Sequence, residues 1–75
     1  MSLTKIEWIK ADSSNVAEYA YVPASERLYL RFHSGNGYCY SGVPEPEYLA
    51  LTQAKSIGRF VTLKIVGFYP YERVF

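Results

Sequence analysis

The chain is poor in the devices that hold small domains together. It has one cysteine, Cys39, so no intrachain disulfide can form. Cys39 and His33 are the only thiol and imidazole side chains, too few for a structural zinc site. No apolar run approaches the ~20 residues of a membrane-spanning helix, and the opening MSLTKIEWIK lacks the unbroken apolar core of a signal peptide. A lone thiol without a secretory leader predicts a reducing, cytoplasmic setting. A dominant charge sign is missing as well. Eight Lys+Arg against seven Asp+Glu leave a net charge of +1, which does not announce nucleic acid. There is no repeat and no low-complexity segment.

What the chain does have is aromatic bulk: 17% Phe, Trp and Tyr, with eight tyrosines among 75 residues. That length allows one domain, which buries only about 60% of the surface its unfolded chain exposes. An aromatic-rich core and self-association into a homo-oligomer are the two compensations available. Local charge says a little more than the total. Between Tyr48 and Tyr71 lie three basic residues, Lys55, Arg59 and Lys64, and no acidic one.

The segment 32–44, FHSGNGYCYSGVP, organises the rest. It reads as a strand end, a glycine turn, a strand carrying Tyr38 and Tyr40, and an exit into a helix. Gly35, Asn36 and Gly37 tolerate the positive φ of a tight hairpin turn. Gly37, with no side chain to pack, is assigned to that turn, and the strand proper to residues 38–43. Upstream, residues 1–10 suit a short edge strand or a frayed tail that docks Trp8. Asp12-Ser13-Ser14-Asn15 is a dense turn cluster. Residues 16–22 form a strand with Tyr19 and Tyr21 on one face and Val16 and Ala20 on the other. Residues 27–33 alternate strictly, Leu28, Leu30 and Phe32 against Tyr29, Arg31 and His33, the period of a half-buried strand.

Downstream, residues 44–55 predict a helix with Tyr48, Leu51 and Thr52 in a stripe, Leu49 at its edge, and early prolines where no N–H is needed. Gly58 is a candidate C-terminal cap for it. Residues 60–68 fit either a second short helix, with Ser56 as its cap, or a fourth strand. Residues 71–75 read as a mixed tail. The expected architecture is α+β: a three- to four-stranded antiparallel β-meander packed against one main α-helix, completed by a short C-terminal helix or strand.

An ordered set of short pieces runs through the chain: Asp12-Ser13-Ser14, Tyr21, Leu28-x-Leu30-x-Phe32, Gly35, Tyr38-x-Tyr40, Val43-Pro44 and Ala54-x-Ser56-x-Gly58-x-Phe60. Together they resemble the KTSC domain over about residues 12–73. That family is a small module found at the C-terminus of some lysyl-tRNA synthetases and as free-standing bacterial or phage proteins. The resemblance implies RNA binding as a suggestion, through the synthetase attachment, in a family whose function is not established. Members often carry an asparagine and an arginine where this chain has Thr62 and Val66.

The hairpin register decides what the tyrosines can do, because a one-residue slip moves every side chain to the other face. A two-residue turn would set Tyr38 and Tyr40 beside Tyr29, Arg31 and His33. That aromatic and cationic face is of the kind on which single-stranded RNA stacks. A three-residue turn would send them into the core with Leu28, Leu30 and Phe32. Asn-Gly favours the first; the need of a small domain for bulk favours the second, and is the preferred reading. On the first register, the candidate nucleic-acid or ligand site is Tyr29, Tyr38 and Tyr40 on bases, with Arg31, Lys55, Arg59 and Lys64 on phosphates.

Catalysis has no comparable footing. No spacing sets a base beside a nucleophile, Cys39 reads as a buried thiol, and His33 as a solvated strand-end residue. Gly35-x-Gly37 leads into a strand, whereas a phosphate-binding loop needs a helix to follow. The sequence thus predicts a non-catalytic binding module for RNA or a nucleotide, without cofactor, metal or membrane. The competing class is a protein-interaction or self-assembling module, including a sequestering protein of phage type, using Trp8, Phe68, Tyr69, Tyr71 and Phe75.

Overall fold

The computed structural model describes residues 6–74. Five strands form one antiparallel sheet in sequential order: β1 (Ile9–Lys10), β2 (Val16–Val22), β3 (Arg27–Phe32), β4 (Gly37–Tyr40) and β5 (Tyr71–Arg73). Between β4 and β5 the chain leaves the sheet to make α1 (Glu45–Thr52) and α2 (Ile57–Phe60), the latter continuing as a π-helical turn over Val61–Ile65. The sheet therefore has five strands rather than three or four. The second helical segment is as long as the first, so no single helix dominates. Of the two alternatives for residues 60–68 the helical one forms, through Ile65, and the fifth strand lies instead at Tyr71–Arg73, in the stretch read as a mixed tail.

The β3–β4 hairpin closes with three residues. Phe32 N–H donates to Asn36 O at 2.9 Å, Gly35 N–H donates to Phe32 O at 2.9 Å, and Gly35 sits at φ +100°. Such a loop, a turn followed by a left-handed glycine, is the next commonest after the two-residue hairpin. It pairs Leu28 with Tyr40 and Leu30 with Tyr38, so both tyrosines join the aliphatic face. Gly37 belongs to β4 rather than to the turn: it is buried, pairs with Arg31, and accepts Val74 N–H at 2.8 Å.

A bulge corrects the expected phase of β2. Val16 pairs with Phe32 and Glu18 with Arg31, leaving Ala17 as the extra residue. Val16 is thereby rotated onto the face of Tyr19 and Tyr21, while Ala20 remains on the other. The Ala17 carbonyl accepts Ala11 N–H at 2.9 Å, which continues the β1–β2 pairing by one residue. Of the residues expected in an N-terminal strand, 1–5 lie outside the described residues, as does Phe75.

One face of the sheet carries the core: Val16, Tyr19, Leu28, Leu30 and Tyr40 meet Val43, Leu51, Val61 and Ile65. In α1 only Leu51 is fully buried. Tyr48 lies flat on Tyr21, ring centroids 4.4 Å apart and 9° from parallel, and Leu49 remains half exposed. The helix starts after Pro44 and ends at Thr52, shorter than the predicted 44–55. No described helix is long and apolar enough to cross a membrane.

Candidate functional site

The turn Asp12–Asn15 is built around one hydroxyl. Ser13 Oγ accepts the N–H groups of Asn15 (3.3 Å) and Val16 (3.2 Å) and donates its own hydrogen to Asn15 Oδ1 (3.0 Å). His33, at the end of β3, fixes the turn from outside. Its Nε2 lies 2.9 Å from Ser13 O, and since a carbonyl only accepts, that nitrogen carries a proton. Its backbone N–H donates to Asn15 O, also at 2.9 Å.

Facing this turn is the start of α2. Ser56 Oγ accepts Arg59 N–H at 3.3 Å and so caps the helix, as its position predicted. Gly58 is no terminal cap. It is buried inside α2, where the turn of the first segment lies against it. A methyl group at position 58 would overlap Asn15 Oδ1, and would lie 3.0 Å from Asn15 Cγ and 3.1 Å from Ser13 Oγ. One turn further, Thr62 Oγ1 donates to Gly58 O at 3.0 Å, and Val66 N–H reaches back five residues to Val61 O at 2.9 Å. Single π turns inside helices concentrate at functional sites.

Between the two segments opens a cleft of about 320 Å³. Ser14 and Asn15 form one wall. Ser56, Gly58, Arg59, Thr62 and Leu63 form the other. The hydrogen-bonded turn on one side and the capped helix on the other preorganise it.

The seven candidate residues are distributed over four places. Arg59 lines the cleft. Lys55 and Lys64 are exposed on the same stretch of chain but do not line it. Tyr29 and Arg31 sit on the opposite face of the sheet: Tyr29 takes the edge of Trp8 at 6.2 Å, and Arg31 pairs with Glu18 at 3.0 Å. Tyr38 and Tyr40 lie on the core face. Tyr40 is 4% exposed, and Tyr38 is wedged edge-on between Phe32 and Tyr71 at 5.9 and 5.6 Å. No common aromatic and cationic sheet face forms, because the three-residue hairpin separates Tyr38 and Tyr40 from Tyr29 and Arg31.

Burial raises the hydroxyl pKa of Tyr40, with Tyr38 and Tyr71 adding to it. Desolvation followed by the carboxylates of Glu26 and Glu45 raises that of Tyr21, whose hydroxyl donates to Val43 O at 2.6 Å. These phenols are structural and stay neutral through the physiological range.

No pattern in the sequence assigns Ser14, Asn15, Ser56, Gly58, Thr62 or Leu63 to a site. The one signal is that Ser14, Ser56 and Gly58 fall within Asp12-Ser13-Ser14 and Ser56-x-Gly58-x-Phe60, which carry the family resemblance. The fold brings these two pieces together.

Comparison with known proteins agrees with that signal. The sequence profile of the KTSC domain matches residues 12–69. The chain is similar to the crystal structure of a KTSC domain protein from Yersinia pestis. The TM-score is 0.88 at 28% identity, covering 95% of this chain and all of that one. No curated protein gives a significant match. With most of its length matched and its fold shared at that level, the chain belongs to the KTSC domain family.

Proposed function

We propose that this protein is a small non-catalytic binding module whose ligand is RNA or a nucleotide, seated at the cleft between the Ser13–Asn15 turn and α2. The carrying observation is Arg59, which lines that cleft and whose guanidinium has no ion-pair or hydrogen-bond partner among the described residues. A preorganised cleft with an unengaged guanidinium suits a phosphate-bearing ligand, since the planar fork matches phosphate oxygens. The non-catalytic reading is supported by the lining, which includes no imidazole or carboxylate side chain to activate its two serines.

The test is fluorescence anisotropy with a labelled single-stranded RNA at low and high salt. Binding should weaken steeply between about 50 and 200 mM salt, and Arg59→Ala should weaken it roughly tenfold. Arg31→Ala, on the other face of the sheet, should leave it unchanged. Binding indifferent to both salt and Arg59 would sink the reading. A second reading, self-assembly or protein interaction, is supported by the exposure of Leu63, Val66, Phe68 and Tyr71, with Phe68 at 68% and Tyr71 at 63%. Light scattering over a concentration series distinguishes it, because assembly through apolar contacts should rise with concentration and ignore RNA.

A further inference from the structure

The hydrogen-bond inventory of the cleft narrows the ligand further. Ser13 Oγ already accepts two backbone N–H groups, so its remaining capacity is one hydrogen, and Asn15 must present its oxygen to receive it. That orientation leaves the Asn15 amide nitrogen, with two N–H donors, as the free end of the side chain at the cleft. Ser56 Oγ accepts Arg59 N–H and keeps its own hydrogen to give. Ser14 adds a second hydroxyl and Arg59 the guanidinium. The one hydroxyl hydrogen turned inward is that of Thr62, engaged by Gly58 O. The free polar capacity of the lining is thus dominated by donors, with a single cation and a single apolar wall, Leu63.

We propose that the cleft seats one terminal phosphate monoester, carried by a mononucleotide or by the end of an RNA strand. The proposal rests on the reading of the module as an RNA or nucleotide binder, and specifies which part of such a ligand is held. A monoester offers three terminal acceptor oxygens and up to two negative charges, matching a guanidinium fork, two hydroxyls and an amide. An internal phosphodiester offers two such oxygens and one charge. Binding along a polymer backbone also needs a track of cations, whereas Lys55 and Lys64 lie off this cleft. The volume of about 320 Å³ is at the small end of ligand sites, which run from about 300 to 1,000 Å³.

The experiment is a calorimetric titration of the full chain with four probes: AMP, adenosine, and one short oligouridine bearing either a 5′-phosphate or a 5′-hydroxyl. The phosphorylated strand or AMP should bind at least about tenfold tighter than its unphosphorylated counterpart. Asn15→Asp keeps the oxygen that receives the Ser13 hydrogen but replaces the donor amide with a negative acceptor. It should erase that preference while a circular-dichroism melt shows the fold retained. If Asn15→Asp fails to fold, Arg59→Gln serves the same purpose from the other wall. Preference in the strand pair alone assigns the site to RNA ends, and preference in the AMP pair alone assigns it to free nucleotides. Equal binding of both strands, with AMP no better than adenosine, overturns the terminal-phosphate assignment but leaves RNA binding standing. No binding of any probe overturns both.

Discussion

Gly58 is a point of contact between two segments far apart in the chain. Its lack of a side chain lets the Ser13–Asn15 turn approach α2 closely enough to form the cleft. Gly58→Ala forces Asn15 aside and breaks its bond with Ser13, and overpacking of this kind costs about 1–3 kcal/mol. The same change gains about 1 kcal/mol of intrinsic helix preference. In an Asn15→Ala background the overlap is gone and only the 3.1 Å approach to Ser13 Oγ remains, so Gly58→Ala should cost clearly less there than in the wild type. Urea denaturation of the wild type, both single variants and the double variant measures this coupling; simple additivity would show that the turn does not press on the helix. The sequence did not disclose this role. A glycine after a helical pattern also signals a cap, and only the arrival of Asn15 from 43 residues away makes it a contact.

Among the elements, strand periodicity was legible and strand phase was not. Leu28 and Leu30 alternate with Tyr29 and Arg31, and they pack as that alternation requires. The faces of Tyr38 and Tyr40 depended on whether the loop held two residues or three, and His33-Ser34-Gly35-Asn36-Gly37 contains turn residues for both. The bulge at Ala17 was equally hidden, since nothing local distinguishes an alanine left out of the ladder from one inside it. The β5 strand escaped because its three residues are all exposed and show no alternation. The cleft was legible only as two fragments of a family pattern. Ser56 was readable as a cap because serine there accepts an N–H that the helix leaves free. Ser56→Ala should cost about 1 kcal/mol in thermal or urea unfolding. It also removes one donor of the cleft, so the loss of ligand affinity should exceed what Ser56→Gly, retaining much of the cap, causes in stability.

At the scale of the whole molecule, the raised tyrosine pKa values predict a loss of stability at alkaline pH. Tyr21, Tyr40, Tyr48 and Tyr69 all lie above the ordinary value of 10.0 in the folded chain, with desolvation the first cause in each. A phenol whose folded pKa is raised keeps its proton longer when folded than when unfolded. Its contribution is complete below the unfolded value and is lost as pH rises through the folded one. Stability should therefore fall as pH climbs above 10, and Tyr40→Phe should shallow that fall. Chemical denaturation at pH 9, 10 and 11 gives both slopes, and parallel slopes would remove Tyr40 from the account.

The sequential strand order conceals one long connection. Hairpins of a few residues join β2 to β3 and β3 to β4, but β5 reaches β4 only after the chain has run from Ser41 to Pro70 through both helices. Closing some thirty residues rather than three costs about 2 kcal/mol more in loop entropy, and β5 buries none of its residues in return. Its pairing should therefore form late in folding and open early. Native-state hydrogen exchange should find the amides of β5 opening well below the global free energy, with β2 and β3 at the top of the range. Conservative substitutions in β5 should accordingly speed unfolding and leave the folding rate unchanged.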